Sequence, residues 1–172
     1  MPKIRKAQNR DLPAIVNIYN QAICRGFCTA DTETYSVKEK KEWFLAHDEQ
    51  YPVYVYETDD KIVGWLSVSP YRKGRKALRY TAEVSYYIDE NFQRQGIGSR
   101  LLQYTIDKMA FLNFRTYIAI LLDVNIASIQ LLEKLNFQKW AHLPDVADFD
   151  GKACGQYYYG YQTLNFTGIQ NG

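Results

Sequence analysis

The chain has 172 residues, of which 47% are hydrophobic and 23% charged, with a formal net charge of +2. That size and balance suit one globular domain over residues 1–172, and the charge is too weak to point to nucleic acid. No apolar run approaches the ~20 residues of a membrane span, and MPKIRKAQ has no apolar leader core, so neither membrane nor export is expected, and a cytoplasmic setting is.

KIRKA reads as a first strand. A helix then begins near Asp11 with Pro13 in its first turn, carries Leu12, Ile15, Val16 and Tyr19 at helical spacing, and ends at Gly26. Ser36-Val37-Lys38-Glu39 has the capping-box form, which starts a second helix running to about His47. YPVYVYET and KIVGWLSVS, joined by Asp59-Asp60, form a hairpin. YRKGRK is a basic loop. LRYTAEVSYYI is a long strand with Ala82, Val84, Tyr86 and Ile88 on one face and Thr81, Glu83, Ser85 and Tyr87 on the other. Leu101, Leu102, Ile106 and Met109 stripe a third helix. TYIAILLDV is a buried strand, NIASIQLLEKLNF a short helix, and QYYYGYQTLNF the last strand. The order β-α-α-β-β-β-α-β-α-β-β implies a mixed sheet with helices on both faces.

Between the long strand and the third helix stands Gln93-Arg94-Gln95-Gly96-Ile97-Gly98. A glycine turn into a helix presents unpaired N–H groups and a favourable dipole to an anion. No P-loop is present, and Leu101 stands where a dinucleotide fingerprint needs its third glycine.

Gln93-x-x-Gly96-x-Gly98, followed about thirty residues later by Asn125-x-x-Ser128 and EKLNF, resembles the signature of the GNAT acetyltransferases. Within that superfamily, ADTETYS, YPVYVYE, VGWLSVSPYRKGRKALRYTAEVSYYI and LPDVADFDGK are similar to the phosphinothricin and methionine sulfone or sulfoximine N-acetyltransferase branch, from Ile4 to about Leu164. The resemblance implies a splayed, mostly antiparallel α/β sheet of about seven strands flanked by about four helices. It also implies an acetyl-CoA-dependent N-acetyltransferase acting on a small amino-acid-like amine, and a homodimer whose second subunit helps build the acceptor site. By the same resemblance, acetyl-CoA rests its pyrophosphate on the amides of Gln93, Arg94, Gln95, Gly96, Ile97, Gly98 and Ser99. Its pantetheine runs along Tyr86, Tyr87 and Ile88, with Asn125 near the acetyl end and Ser128 also among the cofactor-binding residues. Arg94 and Arg100 either meet phosphates or are solvated charges.

An amine near the lysine reference pKa of ~10.4 must lose a proton before it attacks a thioester. Glu83, in the Tyr80-Thr81-Ala82-Glu83 segment, is the expected base, directly or through a water. Backbone amides near Tyr87 are the expected oxyanion donors. Leu132 stands where many superfamily members have a proton-donating tyrosine, and Tyr87, Tyr158 or a water could substitute. Phe27, Thr34, Tyr35, Thr81 and at least one of Arg72, Arg75 and Arg79 are the expected acceptor contacts, an arginine fork suiting a carboxylate. His142 reads as a surface residue, with proton carriage as the alternative. Cys24 and Cys28 read as core thiols, the three cysteines form no disulfide framework, and no metal site is expected. Protein N-terminal or lysine acetylation, and a catalytically silent acyl-CoA-binding module, are the competing functions.

Overall fold

The computed structural model describes residues 1–164 and 166. Seven strands form one sheet in the order β1-β2-β3-β4-β5-β7-β6. They are β1 (Lys3–Lys6), β2 (Val53–Thr58), β3 (Lys61–Pro70), β4 (Thr81–Ile88), β5 (Thr116–Leu122), β6 (Gln138–Phe149) and β7 (Lys152–Gln162). The helices are α1 (Leu12–Arg25), α2 (Val37–Leu45), α3 (Ile97–Asp107) and α4 (Ile126–Lys134). All neighbouring strands are antiparallel except β4 and β5, which run parallel. The expected element order is observed, with small differences at the ends. α2 stops at Leu45 rather than His47, and α3 stops at Asp107, although Met109 beyond it is still 2% exposed. The final strand, expected over 156–166, ends at Gln162, and residue 165 lies outside the described residues.

Strand alternation divides the molecule into two cores. On one face, Val53, Val55 and Trp65 pack with Leu12, Ile15, Val16 and Ile18 of α1 and Phe44 of α2. On the other, Tyr54, Tyr56, Leu66, Val68, Ala82 and Val84 pack with Ile97, Leu101 and Leu102 of α3 and Leu132 of α4. The β2–β3 turn is made by Asp59 and Asp60, both left-handed at φ 48° and 58°, the geometry that matches strand twist in a two-residue hairpin. Ser36 and Glu39 form the expected reciprocal cap at the start of α2. Arg5 ties β1 to the start of α1, bonding Asp11 through Nη1 at 2.6 Å and Glu57 through Nε at 2.6 Å.

The feature that positions the site is a parting of strands. β4 pairs with β5 only from Thr81 to Glu83, opposite Thr116 to Ile118. On its other edge β5 stays paired with β7 throughout, from Thr116 opposite Gln162 to Leu122 opposite Gln156. Asp89 N–H bonds the Val63 carbonyl at 3.0 Å. In an antiparallel ladder this commits the odd-numbered residues of β4 to β3. The backbone groups of Tyr86 and Ile88 therefore turn into the gap that β5 has left.

Candidate active site

The floor of one cavity is built by cross-strand pairs: Ser69 opposite Glu83, Ser67 opposite Ser85, and Trp65 opposite Tyr87. Ile15, Val16 and Tyr19 of α1, with Lys40 and Trp43 of α2, wall it around a volume of about 180 Å³. Glu83 is half-buried and makes no hydrogen bond or ion pair among the described residues, and burial raises its pKa above the usual 4.5. A carboxylate in that condition is a better base than one in water. Tyr19 is fixed by its hydroxyl, which donates to Asp31 Oδ2 at 2.5 Å and lies 2.9 Å from Thr29 Oγ1. His47 Nε2 lies 3.3 Å from Ser69 Oγ, on the residue that faces Glu83, and burial pushes the imidazole pKa down.

A second cleft of about 890 Å³ opens along the gap. Its walls are the end of α1 and the following loop, the strand end from Tyr86 to Ile88, the glycine turn, and the first turns of α4. Gly96 caps α3 in the left-handed conformation at φ 77°, with no side-chain cap, and Arg94 is left-handed as well at φ 59°. The leading N–H groups of α3 are thus presented to the cleft. A Cβ on Gly98 would lie 2.9 Å from Leu131 Cδ2, so glycine keeps the α3–α4 mouth open. Gln93 Nε2 donates to the Ile88 carbonyl at 3.4 Å, which ties the turn to the strand. Asn125 caps α4, its Oδ1 accepting from Ser128 N–H at 3.2 Å. The Tyr86 hydroxyl is buried without a hydrogen bond of ordinary geometry, and its pKa is pushed up to about 12 by burial, with the Ser128 hydroxyl pulling it back.

Tyr87 belongs to both cavities, so they meet there. Its hydroxyl stands against those of Thr29 and Tyr19, and its pKa is pushed up to about 12, mainly by burial. Uncommitted amides at Tyr86 and Ile88, an uncapped helix start and a long cleft fit a phosphate-bearing pantetheine thioester: the start of α3 suits the pyrophosphate, and the strand end suits the amide chain.

Of the residues expected to hold acetyl-CoA, Tyr86, Tyr87, Ile88, Gln93, Arg94, Gly96, Ile97, Gly98, Ser99, Asn125 and Ser128 all line the cleft. Gln95 does not; its Nε2 turns back to the Asn91 carbonyl at 3.4 Å. Arg100 is also directed elsewhere, donating to the Tyr56 hydroxyl at 2.8 Å, whereas Arg25 joins Arg94 on the wall. Of the backbone amides near Tyr87, ladder alternation commits that of Tyr87 itself to Trp65 and leaves those of Tyr86 and Ile88 facing the gap.

The acceptor side departs further from expectation. Phe27 lines the cofactor cleft and packs on Phe149 at 4.7 Å between ring centroids. Tyr35 stands behind the small cavity, stacked on Tyr19, while Thr34 is exposed and Thr81 lies outside the cavity wall. Arg72, Arg75 and Arg79 are exposed, and within this chain none walls either cavity; Arg79 folds back over the Tyr80 ring at 4.3 Å. Tyr158 also lies off both walls. His142 bonds Asp123 Oδ2 at 2.9 Å, away from the cavity. The core-thiol reading fails for Cys24, which is exposed, and for Cys28, which sits past the end of α1 on the cleft wall. Leu132 is 1% exposed in the core. Lys40, Trp43, Trp65, Ser67 and Ser69 were not singled out from sequence. The signal lay in the i, i+3 spacing of Lys40 and Trp43 after the capping box, and in the register of β3 against β4.

Among the described residues no helix is long and apolar enough to cross a membrane, and no group of three or more histidines, cysteines and carboxylates stands together. The model of the acetyltransferase (GNAT) family matches residues 13–137. A Bacillus subtilis (strain 168) protein, YwnH, provisionally named a phosphinothricin acetyltransferase, is 40% identical over 150 residues, covering 87% of this chain and 91% of the relative. An L-methionine sulfoximine/L-methionine sulfone acetyltransferase of Salmonella typhimurium is 31% identical over 83% of this chain and 84% of its own length. The solved structure of yncA from Salmonella typhimurium with its cofactor acetyl-CoA superposes with a TM-score of 0.90 at 27% identity, covering 99% of each chain. The chain belongs to the GNAT acetyltransferase family.

Proposed function

We propose that this acetyltransferase passes the acetyl group of acetyl-CoA to the primary amine of a small amino-acid-like acceptor of the phosphinothricin, methionine sulfone or methionine sulfoximine kind. Transfer is by direct attack in a ternary complex. The observation that carries this reading is Glu83: a half-buried carboxylate without a partner, in a small cavity that meets the cofactor cleft at Tyr87. Glu83 takes a proton from the bound ammonium, directly or through a water; the freed amine attacks the thioester carbonyl, and the tetrahedral adduct collapses by breaking the C–S bond, so that CoA leaves as a thiolate that takes up the remaining excess proton of the new amide nitrogen. Amides at Tyr86 and Ile88 face the developing oxyanion, and the leading amides of α3 with Arg94 hold the pyrophosphate.

The cavity volume of about 180 Å³ corresponds to roughly six waters. That suits an amino-acid side chain and is below the ~300 Å³ at which drug-sized pockets begin, which favours a small amine over a peptide segment. A homodimer is part of the proposal. β6 lies at the sheet edge and exposes Trp140 and Val146 at 46% and 53%, apolar side chains that a second copy would cover.

The test is release of the free CoA thiol from acetyl-CoA against a panel of amino-acid sulfones, sulfoximines and phosphinates, polyamines and peptides. Turnover confined to the amino-acid analogues supports the reading. Turnover confined to peptides, or cofactor binding with no turnover on any amine, overturns it.

A further inference from the structure

Among the described residues, Lys40 is the single cation on the wall of the small cavity, as Glu83 is the single anion. Its ammonium makes no ion pair and no hydrogen bond. It is held instead by rings, 3.9 Å from the centroid of Tyr35, 4.6 Å from Tyr19 and 5.6 Å from Trp43. Aromatic faces attract a cation but leave its charge and its N–H donors available. Burial lowers the ammonium pKa, with Asp31 opposing from beyond pairing distance. Holding a half-buried charge without a counter-ion is unfavourable, and the cavity holds two such charges of opposite sign that do not pair with each other.

Two unpaired opposite charges facing one cavity match a molecule that carries both. We propose that Lys40 binds the α-carboxylate of the acceptor while Glu83 receives its α-ammonium, so that the cavity selects zwitterionic α-amino acids over amines without a carboxylate. The three rings act as a holder: Tyr19 is pinned by Asp31 and Thr29, and Tyr35 by Asn20, which accepts from the Tyr35 N–H at 2.9 Å and donates to its carbonyl at 2.8 Å. The rings keep the ammonium over the cavity, so little ordering remains when the carboxylate arrives. Arg72, Arg75 and Arg79 are exposed and off the wall, which leaves Lys40 as the cation within this chain that is placed for the task.

This assignment rests on the small-amine acetyltransferase reading, and the experiment separates the two. kcat and KM are measured for methionine sulfone and for its α-carboxamide, with wild type, Lys40→Met and Lys40→Arg, alongside calorimetric binding of acetyl-CoA to each. Wild type is expected to prefer the acid by about 10- to 100-fold in kcat/KM, the range of a charge-assisted hydrogen bond. Lys40→Met is expected to reduce that preference to within about threefold, mainly through KM, and Lys40→Arg to restore most of it. Acetyl-CoA affinity should be alike in all three. Equal turnover of acid and carboxamide by wild type overturns the Lys40 assignment and leaves the acetyltransferase reading standing. So does a Lys40→Met variant that binds acetyl-CoA normally but loses both acceptors equally. Absence of turnover on any small amine by wild type removes the acceptor reading, and the Lys40 assignment with it.

Discussion

Glu83 and Tyr87 project from the same face of β4, two pleats apart, and Tyr87 is the residue that both cavities share. One strand face therefore carries the proposed base and the junction between the two cavities. The other edge of the same strand, at Tyr86 and Ile88, carries the amides that β5 no longer reaches. A strand leaving its neighbour after three paired residues is what allows both to occur within six residues of chain.

Burial raises the Glu83 pKa, so the folded state holds that proton more tightly than the unfolded one. The sign follows: stability falls as pH rises from the unfolded carboxylate value through the folded one, and stays lower above it. Glu83→Gln should therefore melt no lower than wild type at pH 7 to 8, while losing about 10²–10⁴-fold in kcat. Thermal melts at pH 5 and pH 8 check this. A Tm well below wild type at pH 8 would mean that Glu83 supports the fold.

Gly96 is left-handed at φ 77°, a conformation that costs an ordinary L residue about 1–2 kcal/mol and a β-branched one more. Gly96→Val should distort the turn that presents the α3 amides and weaken acetyl-CoA binding by about 10-fold or more. Gly96→Asn should be milder, because asparagine tolerates that region. Titration calorimetry with acetyl-CoA is the measurement; unchanged affinity in the valine variant would place the pyrophosphate elsewhere.

Leu132 is packed at 1% exposure and is not on the cleft wall. Placing there the proton-donating tyrosine that the superfamily resemblance leads one to expect should overpack the core and destabilise by about 1–3 kcal/mol, without raising kcat. A Leu132→Tyr variant that is both stable and faster would show that the leucine is a catalytic loss.

The Arg5–Asp11 pair should set an acid limit on stability. Burial pushes the Asp11 carboxyl up, but the Arg5 hydrogen bond, the Gln8 amide and nearby positive charge together hold it below its usual value. Its contribution is complete above the unfolded value near ~3.9 and is lost as pH falls through the lower folded value. Asp11→Asn should cost about 2–3 kcal/mol at pH 7 and flatten the fall in stability below pH ~4. Denaturant unfolding at pH 3 and pH 7 measures both effects.

The element order and the residues that come together along the second cleft were legible in sequence because they rest on local signals. Pro13 and Gly26 punctuate α1, Ser36 and Glu39 cap α2, Asp59-Asp60 turns the hairpin, and glycines open α3. Asn136 ends α4 in the left-handed conformation at φ 64°, which asparagine tolerates. The small cavity around Glu83 was less legible because it depends on register and packing between elements distant in the chain. That Ser69 faces Glu83, and that α2 lays Lys40 and Trp43 over β3, follows from tertiary contacts that no local pattern encodes. The basic loop 71–76 drew attention through its composition, yet its charges face solvent.

We propose Glu83 as the base of an acetyl transfer to a small amine. The most direct measurement is kcat/KM against pH for wild type and Glu83→Gln, with methionine sulfone as acceptor and thiol release as readout. The account predicts an acid limb in wild type with an apparent pKa above the 4.5 of an ordinary glutamate, and a loss of about 10²-fold or more in the variant, with that limb gone. Glu83→Gln turnover equal to wild type, with the same pH profile, would contradict it.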